Sequence, residues 1–458
     1  MAPKLSCCFR CLLHPVHSHF IDRPIHGEGD DSSVRPCLSY CFVFLRNLRF
    51  EWLVSVRTAM AADTTIMPAQ RKKACSGPDS ASAGFNAGCG VSQVKIARVF
   101  PCILMLLLPA CGEREPMKTL RPPTPTLRDR WPEITPELAG MDRARLDEVA
   151  AAVQGNGVII RHDAIAYQWG KPGKALDIAS ASKAIYSFLV MRAVQNGIIP
   201  SLDQPVVKWL PELAGLNAAL GHKDRRITWR HLINQTSCYG VTEEPGAAFD
   251  YNDYQTGLLW KLMFEKVYKS PGAESIRVLE EQLFKLIDAE GKSTMREMNT
   301  NDQVFRLTIS PLDMARFGSV FLHGGKWKDR QIIDPEFVDL VLHHPLPLDL
   351  PRTKGEPAEM LPDAPSYGGG SNQDDHLGSY SHMWWLNRRG KDGDLLFPSA
   401  PDDAFAAIGY GGEKVLMVVP SLDLIISWNT DQLTRAPMVG MGRQQMNEVL
   451  QILFASIK

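Results

Sequence analysis

The sequence has 458 residues, 50 Lys and Arg against 51 Asp and Glu, a formal net charge of −1, and 45% hydrophobic and 22% charged residues. This balance excludes nucleic-acid binding driven by charge and excludes a chain disordered throughout. Length alone predicts two or three domains, but the cysteines divide the chain differently: Cys7, Cys8, Cys11, Cys37, Cys41, Cys75, Cys89, Cys102 and Cys111 lie early, and only Cys238 follows.

Residues 1–90 mix Cys, His, Arg, Pro and Ser with no helical or strand period, no caps and no repeat, and read as an upstream extension without a fold of its own. Cys8-Phe-Arg-Cys11 has CxxC spacing, but no second ligand pair follows it, so no metal site is expected. In residues 91–111, Val94-Lys-Ile-Ala-Arg98 supplies a basic segment ahead of an apolar run that ends on Leu108-Pro-Ala-Cys111. That run is too short to span a bilayer stably. It resembles a bacterial lipoprotein signal, which implies an initiator near Val91, a lipidated Cys111 and a membrane-anchored protein of the cell envelope. The alternative is an ordinary buried strand or helix. With Cys238 alone beyond Cys111, no intrachain disulfide is expected.

Residues 112–136, with Arg121-Pro-Pro-Thr-Pro-Thr, read as an extended tether, and one domain is expected over 137–458. Asp142 caps a helix to about Val153, and Val158-Ile-Ile160 and Ala164 to Trp169 flank a turn as two strands. Helices are expected over Ser182 to Val194, over Trp229 to Asn234 behind a Thr228 cap, over Tyr254 to Val267, and from Ser310-Pro311 to Gly324-Gly325. The segment Leu348 to Tyr380 reads as a long loop overhanging the site. Val415 to Val419 and Leu424 to Trp428 form a second hairpin, followed by a helix from about Met441 to Ile457. Strands at both ends around a mostly helical insertion give an α/β (α+β) layout with an antiparallel sheet, and a site at the seam between layers.

The strongest chemical signal is Asp177-Ile-Ala-Ser180-Ala-Ser-Lys183 at the start of a helix. Three residues along a helix return to the same face, so the Lys183 amine can reach the Ser180 hydroxyl. A serine becomes a nucleophile when a neighbouring base takes its proton, and a lysine serves if desolvation and nearby cations lower its pKa. Ser92-Gln-Val-Lys95 matches the same tetrad, and a Ser180 that merely caps a helix would look alike, so the tetrad alone is not diagnostic.

The tetrad, with Asn196-Gly-Ile-Ile-Pro-Ser-Leu-Asp-Gln-Pro205, Ile227-Thr-Trp-Arg-His-Leu-Ile-Asn234 and Leu307-Thr-Ile-Ser-Pro-Leu-Asp-Met-Ala-Arg-Phe-Gly318, resembles the serine β-lactamase-related family over about residues 136–458. That family holds class C β-lactamases, D-alanyl-D-alanine carboxypeptidases, carboxylesterases and amidases. The resemblance implies a β-lactamase/transpeptidase-like fold, no cofactor, and a small-molecule or peptide-like substrate processed through an acyl-enzyme on Ser180. It assigns proton transfer to Lys183 and Tyr251, an oxyanion hole to the Ser180 and Glu413 amides, and substrate contacts to Asp253, Tyr410, Gly411 and Gly412.

Two positions depart from the family pattern. Asp253 stands where the Tyr-x-Asn motif has its amide, and Tyr410 stands where the third motif has Lys or His. An ionised carboxylate only accepts hydrogen bonds, and a missing cation removes a partner for a substrate carboxylate. Both shift the expectation toward an ester or amide substrate. The other readings are a true β-lactamase or carboxypeptidase, and a catalytically silent ligand-binding module. Trp384 and Trp385 are expected in the core, and His382 is expected to be structural.

Overall fold

The computed structural model describes residues 130–458 apart from 298–303, 368, 369, 371, 432 and 434–440. The upstream extension, the signal segment with Cys111, both early motifs and most of the tether lie outside the described residues. Among these residues no helix is long and apolar enough to cross a membrane, and no cluster of His, Cys, Asp or Glu could hold a metal ion.

The helices are α1 (Arg143–Val153), α2 (Ser182–Gln195), α3 (Trp229–Ile233), α4 (Asp253–Trp260), α5 (Ile276–Leu279), α6 (Pro311–Leu322), α7 (Pro335–His343) and α8 (Met441–Phe454). The strands are β1 (Asn156–Arg161), β2 (Ala164–Trp169), β3 (Leu176–Asp177), β4 (Thr294–Glu297), β5 (Phe305–Ile309), β6 (Lys326–Trp327), β7 (Arg330–Gln331), β8 (Tyr380–Ser381), β9 (Trp384–Leu386), β10 (Phe405–Gly409), β11 (Lys414–Val419) and β12 (Leu424–Asn429). Seven strands form one antiparallel sheet in the order β2-β1-β12-β11-β10-β9-β8. The second strand of the C-terminal hairpin therefore pairs with the first strand of the N-terminal one, Ile159 opposite Ile426, and the two chain ends share one sheet. All six residues of β11 and of β12 are buried, as expected for apolar strands covered on both faces.

Local chemistry explains most boundaries. Asp142 caps α1 by accepting from the Ala144 and Arg145 amides at 3.0 and 3.3 Å. Thr228 caps α3 through His231, which returns its own ring nitrogen to the Thr228 amide. The expected helix over Tyr254 to Val267 divides: α4 stops at Trp260 and the chain continues as a π-helical turn over Lys261–Val267.

Helix α6 lies against β1, β11 and β12. A Cβ at Gly318 would stand 2.8 Å from a Leu416 methyl, so this glycine sets the close helix-to-sheet approach. The head of α6 carries a buried polar knot. Ser310 Oγ receives the Asp313 amide, the Asp313 carboxylate receives the Glu290 and Gly291 amides at 2.9 and 2.8 Å, and Arg316 Nη1 donates to it at 2.7 Å. Asp313→Ala leaves two amides and one side of the buried Arg316 guanidinium without an acceptor, Glu290 holding the other side, and is expected to lower the unfolding free energy by about 2–4 kcal/mol in chemical denaturation.

The aromatic residues behind the sheet are buried as expected. Trp384 lies 4.7 Å from Phe321 between ring centroids, and Trp385 stacks on Tyr251 at 6.0 Å. His382 is buried, its Nδ1 is 2.9 Å from Ser381 Oγ, and burial pushes its pKa down to about 3, so it stays neutral in the core.

Candidate active site

The turn that carries Ser180 is built by its neighbours. The Asp177 carboxylate accepts the Ala179 amide at 2.8 Å and bends the end of β3 into the one-turn 3-10 helix Ala179–Ala181, which runs into α2. Ala179 sits at φ +48°, a left-handed conformation costing roughly 1–3 kcal/mol at a residue with a side chain. Asn429 of β12 donates to the Asp177 carbonyl at 2.9 Å, and the Tyr367 hydroxyl bonds Ser182 Oγ and donates to the Ala179 carbonyl. Behind the turn lies Gly409 at the end of β10. A Cβ there would stand 2.5 Å from the Ile178 carbonyl oxygen and 3.2 Å from the Ala181 nitrogen.

Lys183, one turn further, is buried and donates to Ser180 Oγ at 3.1 Å and to the Asp253 carboxylate at 2.9 Å. Its Nζ stands 4.7 Å from the centroid of the Tyr251 ring, and the Ser180 hydroxyl is close enough to the buried Tyr251 phenol to favour its ionised form. Tyr251 is placed by sequence that immediately follows it: the Asn252 side chain caps α4 through the Tyr254 and Gln255 amides, and donates to the Asp250 carboxylate at 2.8 Å. Trp385 and Tyr380 then wall the ring. Lys183 from the same helical turn and Tyr251 from a distant part of the chain thus converge on the partly exposed Ser180.

The site differs from the sequence expectation in five respects. Burial disfavours the charged Lys183, but the Asp253 carboxylate and the Tyr251 and Tyr367 phenols outweigh it and hold the amine well above the ordinary lysine range. The expectation of a lowered lysine pKa is corrected: Lys183 is an ammonium whose counterion is Asp253. Asp253 accordingly does not face a substrate. It is buried, with one oxygen on Lys183 and the other accepting from Gln373 Nε2 at 3.0 Å, because a buried ammonium without an anion beside it is costly.

The Glu413 amide, expected in an oxyanion hole, donates to the Tyr410 carbonyl at 3.3 Å inside the one-turn helix Tyr410–Gly412, and the Glu413 carboxylate pairs with Lys414 at 3.1 Å. Gly411 and Gly412 have φ +66° and +119° and shape that turn, while the close approach to the serine belongs to Gly409. Finally, the cation missing from the third motif is supplied from another strand. Arg306 on β5 lies 3.2 Å from Asp177, donates to the Tyr410 hydroxyl at 2.5 Å, and stands 5.6 Å from the centroid of the Tyr367 ring.

Burial holds the Tyr251 phenol above the ordinary tyrosine range, with Lys183 and Ser180 opposing the shift and Asp253 adding to it. Sequence reasoning missed Tyr367, Gln373 and Arg306, and gave no role of their own to Asp177, which opens the Ser180 motif, or to Gly409, which opens the third. Tyr367 and Gln373 come from the long loop, which is tied to the site by the Tyr367 amide on the Asp253 carbonyl at 3.1 Å and the Gln373 amide on the Tyr251 carbonyl at 3.0 Å. The available signal for Arg306 was a charge inside the apolar strand just before the Ser310-Pro311 helix start.

A beta-lactamase family model matches residues 137–451. Among solved structures, a Bacteroides dorei DSM 17855 protein assigned to the beta-lactamases is 15% identical, with TM-score 0.50 and coverage of 69% of this chain and 99% of that chain. A penicillin-binding protein homolog from Caulobacter crescentus is 14% identical, with TM-score 0.47 and coverage of 69% and 99%. EstCE1, a hydrolase with promiscuous acyltransferase activity, is 13% identical, with TM-score 0.46 and coverage of 67% and 98%. At such identities the likeness is one of fold. A comparison with curated proteins finds no match.

Proposed function

Since the chain belongs to the beta-lactamase family, we propose that it is a serine hydrolase that cleaves an ester or amide through an acyl-enzyme. The observation that carries this reading is the convergence of Lys183 and Tyr251 on the Ser180 hydroxyl. Ser180 Oγ attacks the substrate carbonyl carbon and its proton passes to the Tyr251 oxygen, in the minor form in which Tyr251 is a phenolate held beside the Lys183 ammonium. The Ser180 amide, at the head of α2, holds the developing oxyanion. When the carbonyl re-forms, the bond to the leaving oxygen or nitrogen breaks and Tyr251 returns the proton to it. Water then enters by the reverse sequence and releases the acid. Lys183, held as an ammonium by Asp253, keeps its positive charge beside the phenolate throughout.

With Asp253 turned inward onto Lys183 and Gln373, that position offers no amide donor to a β-lactam side chain, which supports ester or amide substrates. A second reading, a β-lactamase or D-alanyl-D-alanine carboxypeptidase, is favoured by Arg306, which puts a cation near the third motif. Hydrolysis of 4-nitrophenyl esters, turnover of nitrocefin and release of D-alanine from a D-Ala-D-Ala peptide separate the two. The proposal expects the first at a rate at least about a hundredfold above the others; nitrocefin or D-alanine as the better substrate selects the second reading. We further propose, on the sequence of residues 94–111, that Cys111 is lipidated and anchors the domain to a bacterial membrane.

A further inference from the structure

We propose that residues 363–367 form a strap that assembles the active serine, with Tyr367 as a positioning residue that sets the rate of acylation through the Ser180 turn. The strap's role rests on the hydrolase reading above and adds to it a residue that acts on the serine from outside its own helix and sheet. The strap belongs to the segment between α7 and β8, which carries isolated bridges but no helix or strand among its described residues. Structureless connections longer than about 12–15 residues are uncommon in a compact domain and are usually functional. This one is laid along a face of α4. Asp253 and Gly257 of α4 and Lys261 just after it follow at four-residue spacing along a continuous helical run, so they share that face, and each meets one part of the strap. The Lys261 amine pairs with Asp363 at 2.5 Å, the Pro365 carbonyl rests on Gly257, where a Cβ would overlap it, and the Tyr367 amide donates to the Asp253 carbonyl at 3.1 Å. Beyond Tyr367, the Gly370 carbonyl accepts the Asp253 amide at 3.1 Å, one of the amides that the first turn of a helix leaves without an internal partner.

The strap delivers a buried phenol to the turn that aims the serine. The Tyr367 hydroxyl bonds Ser182 Oγ and donates to the Ala179 carbonyl at 3.3 Å, and the same carbonyl accepts from Ser182 Oγ at 2.7 Å. Ala179 precedes Ser180 directly and holds φ +48°, and a strained residue persists only where its surroundings over-determine it. Of the groups that hold this turn, Asp177, Ser182 and Asn429 belong to β3, α2 and β12, whereas Tyr367 comes from the loop. The ring also meets Lys183, whose Nζ stands 5.0 Å from the Tyr367 centroid and 4.7 Å from that of Tyr251, so the ammonium is held against both phenols. Tyr367 therefore acts on Ser180 through Ala179, Ser182 and Lys183. An attacking oxygen about 1 Å out of place loses about a hundredfold in rate, so loosening this clamp slows attack and leaves binding in place.

The test follows covalent labelling of the full chain by a fluorophosphonate and separates the limiting rate at saturation from the half-saturating concentration. Tyr367→Phe keeps the ring and removes the hydroxyl. It is expected to lower the limiting rate about tenfold, the effect of one buried hydrogen bond, with the half-saturating concentration within about twofold. Gly257→Ala pushes the Pro365 carbonyl off α4 and is expected to lower the limiting rate in the same way from outside the site. Because both changes act through one clamp, the double variant is expected to lie within about twofold of the slower single variant. An unchanged limiting rate in Tyr367→Phe, a loss confined to the half-saturating concentration, or losses that multiply in the double variant overturn the proposal. A merely structural role would lower the thermal unfolding temperature and leave the limiting rate of the folded protein unmoved. If Gly257→Ala loses its thermal unfolding transition, the split between rate and half-saturation in Tyr367→Phe decides. An unsubstituted chain that takes no label removes the hydrolase reading and the positioning role with it, whereas labelling at equal limiting rates in all variants removes the positioning role alone.

Discussion

Lys183→Met is expected to slow acylation of Ser180 by roughly 10²–10³-fold, the range for losing one preorganised charge partner, because it removes the cation that stabilises the Tyr251 phenolate. The same change lowers stability by about 3–5 kcal/mol, because it leaves the Asp253 carboxylate buried without its cation. Lys183→Met with Asp253→Leu removes the whole pair and is expected to recover most of the lost stability while activity stays low. Asp253→Asn separates charge from shape. Asp253 raises the pKa of both Lys183 and Tyr251, so neutralising it lowers both. In the unsubstituted enzyme the active form requires Tyr251 to lose its proton from a pKa above the ordinary tyrosine range, and acylation is expected to rise with pH through the alkaline range. In Asp253→Asn that rise moves to lower pH. Stopped-flow acylation across pH checks it, and an unmoved or upward-moved profile contradicts the assignment of Tyr251 as the proton acceptor.

Gly409→Val is expected to remove activity almost completely while most of the fold survives. The first branch atom already meets the Ile178 carbonyl oxygen at 2.5 Å, the Ala179 Cβ at 3.1 Å and the Ala181 nitrogen at 3.2 Å. Two of these are backbone atoms of the turn that aims Ser180 and the third is a Cβ fixed to it, so none can rotate aside as a flexible side chain would. Because Ala179 is already strained there, the turn yields before the sheet does. A displacement of about 1 Å at a nucleophile is enough for a hundredfold loss. Gly409→Ala is the milder version, with a smaller loss in kcat/KM. Near-normal far-UV circular dichroism with lost labelling of Ser180 is the expected pattern, and unchanged labelling contradicts it.

Much of the fold was legible because its signals are local. Asp142, Thr228 and Ser310 announce helices by their caps, and the Val415 to Val419 and Leu424 to Trp428 runs announce a buried hairpin. The π-helical turn after Trp260 was not legible, because its period differs from an α-helix only by hydrogen-bond choice. The site was legible where residues lie within one helical turn, as with Ser180 and Lys183, or where a motif frames them, as with Tyr251. What escaped was the charge state. Whether Lys183 is an amine or an ammonium depends on Asp253, seventy residues away, whose carboxylate turns inward only when α2 and α4 meet. Arg306 and Tyr367 escaped for the same reason: their roles come from β5 pairing with β3, and from a loop returning across the site.

The measurement that bears most directly on the central claim is the intact mass of the full chain after exposure to a fluorophosphonate, beside the Ser180→Ala variant. The account predicts one covalent adduct on the unsubstituted chain, mapped to Ser180, and none on the variant. Folded protein that stays unlabelled, or an adduct that persists in Ser180→Ala, would contradict a nucleophilic Ser180 and with it the hydrolase mechanism.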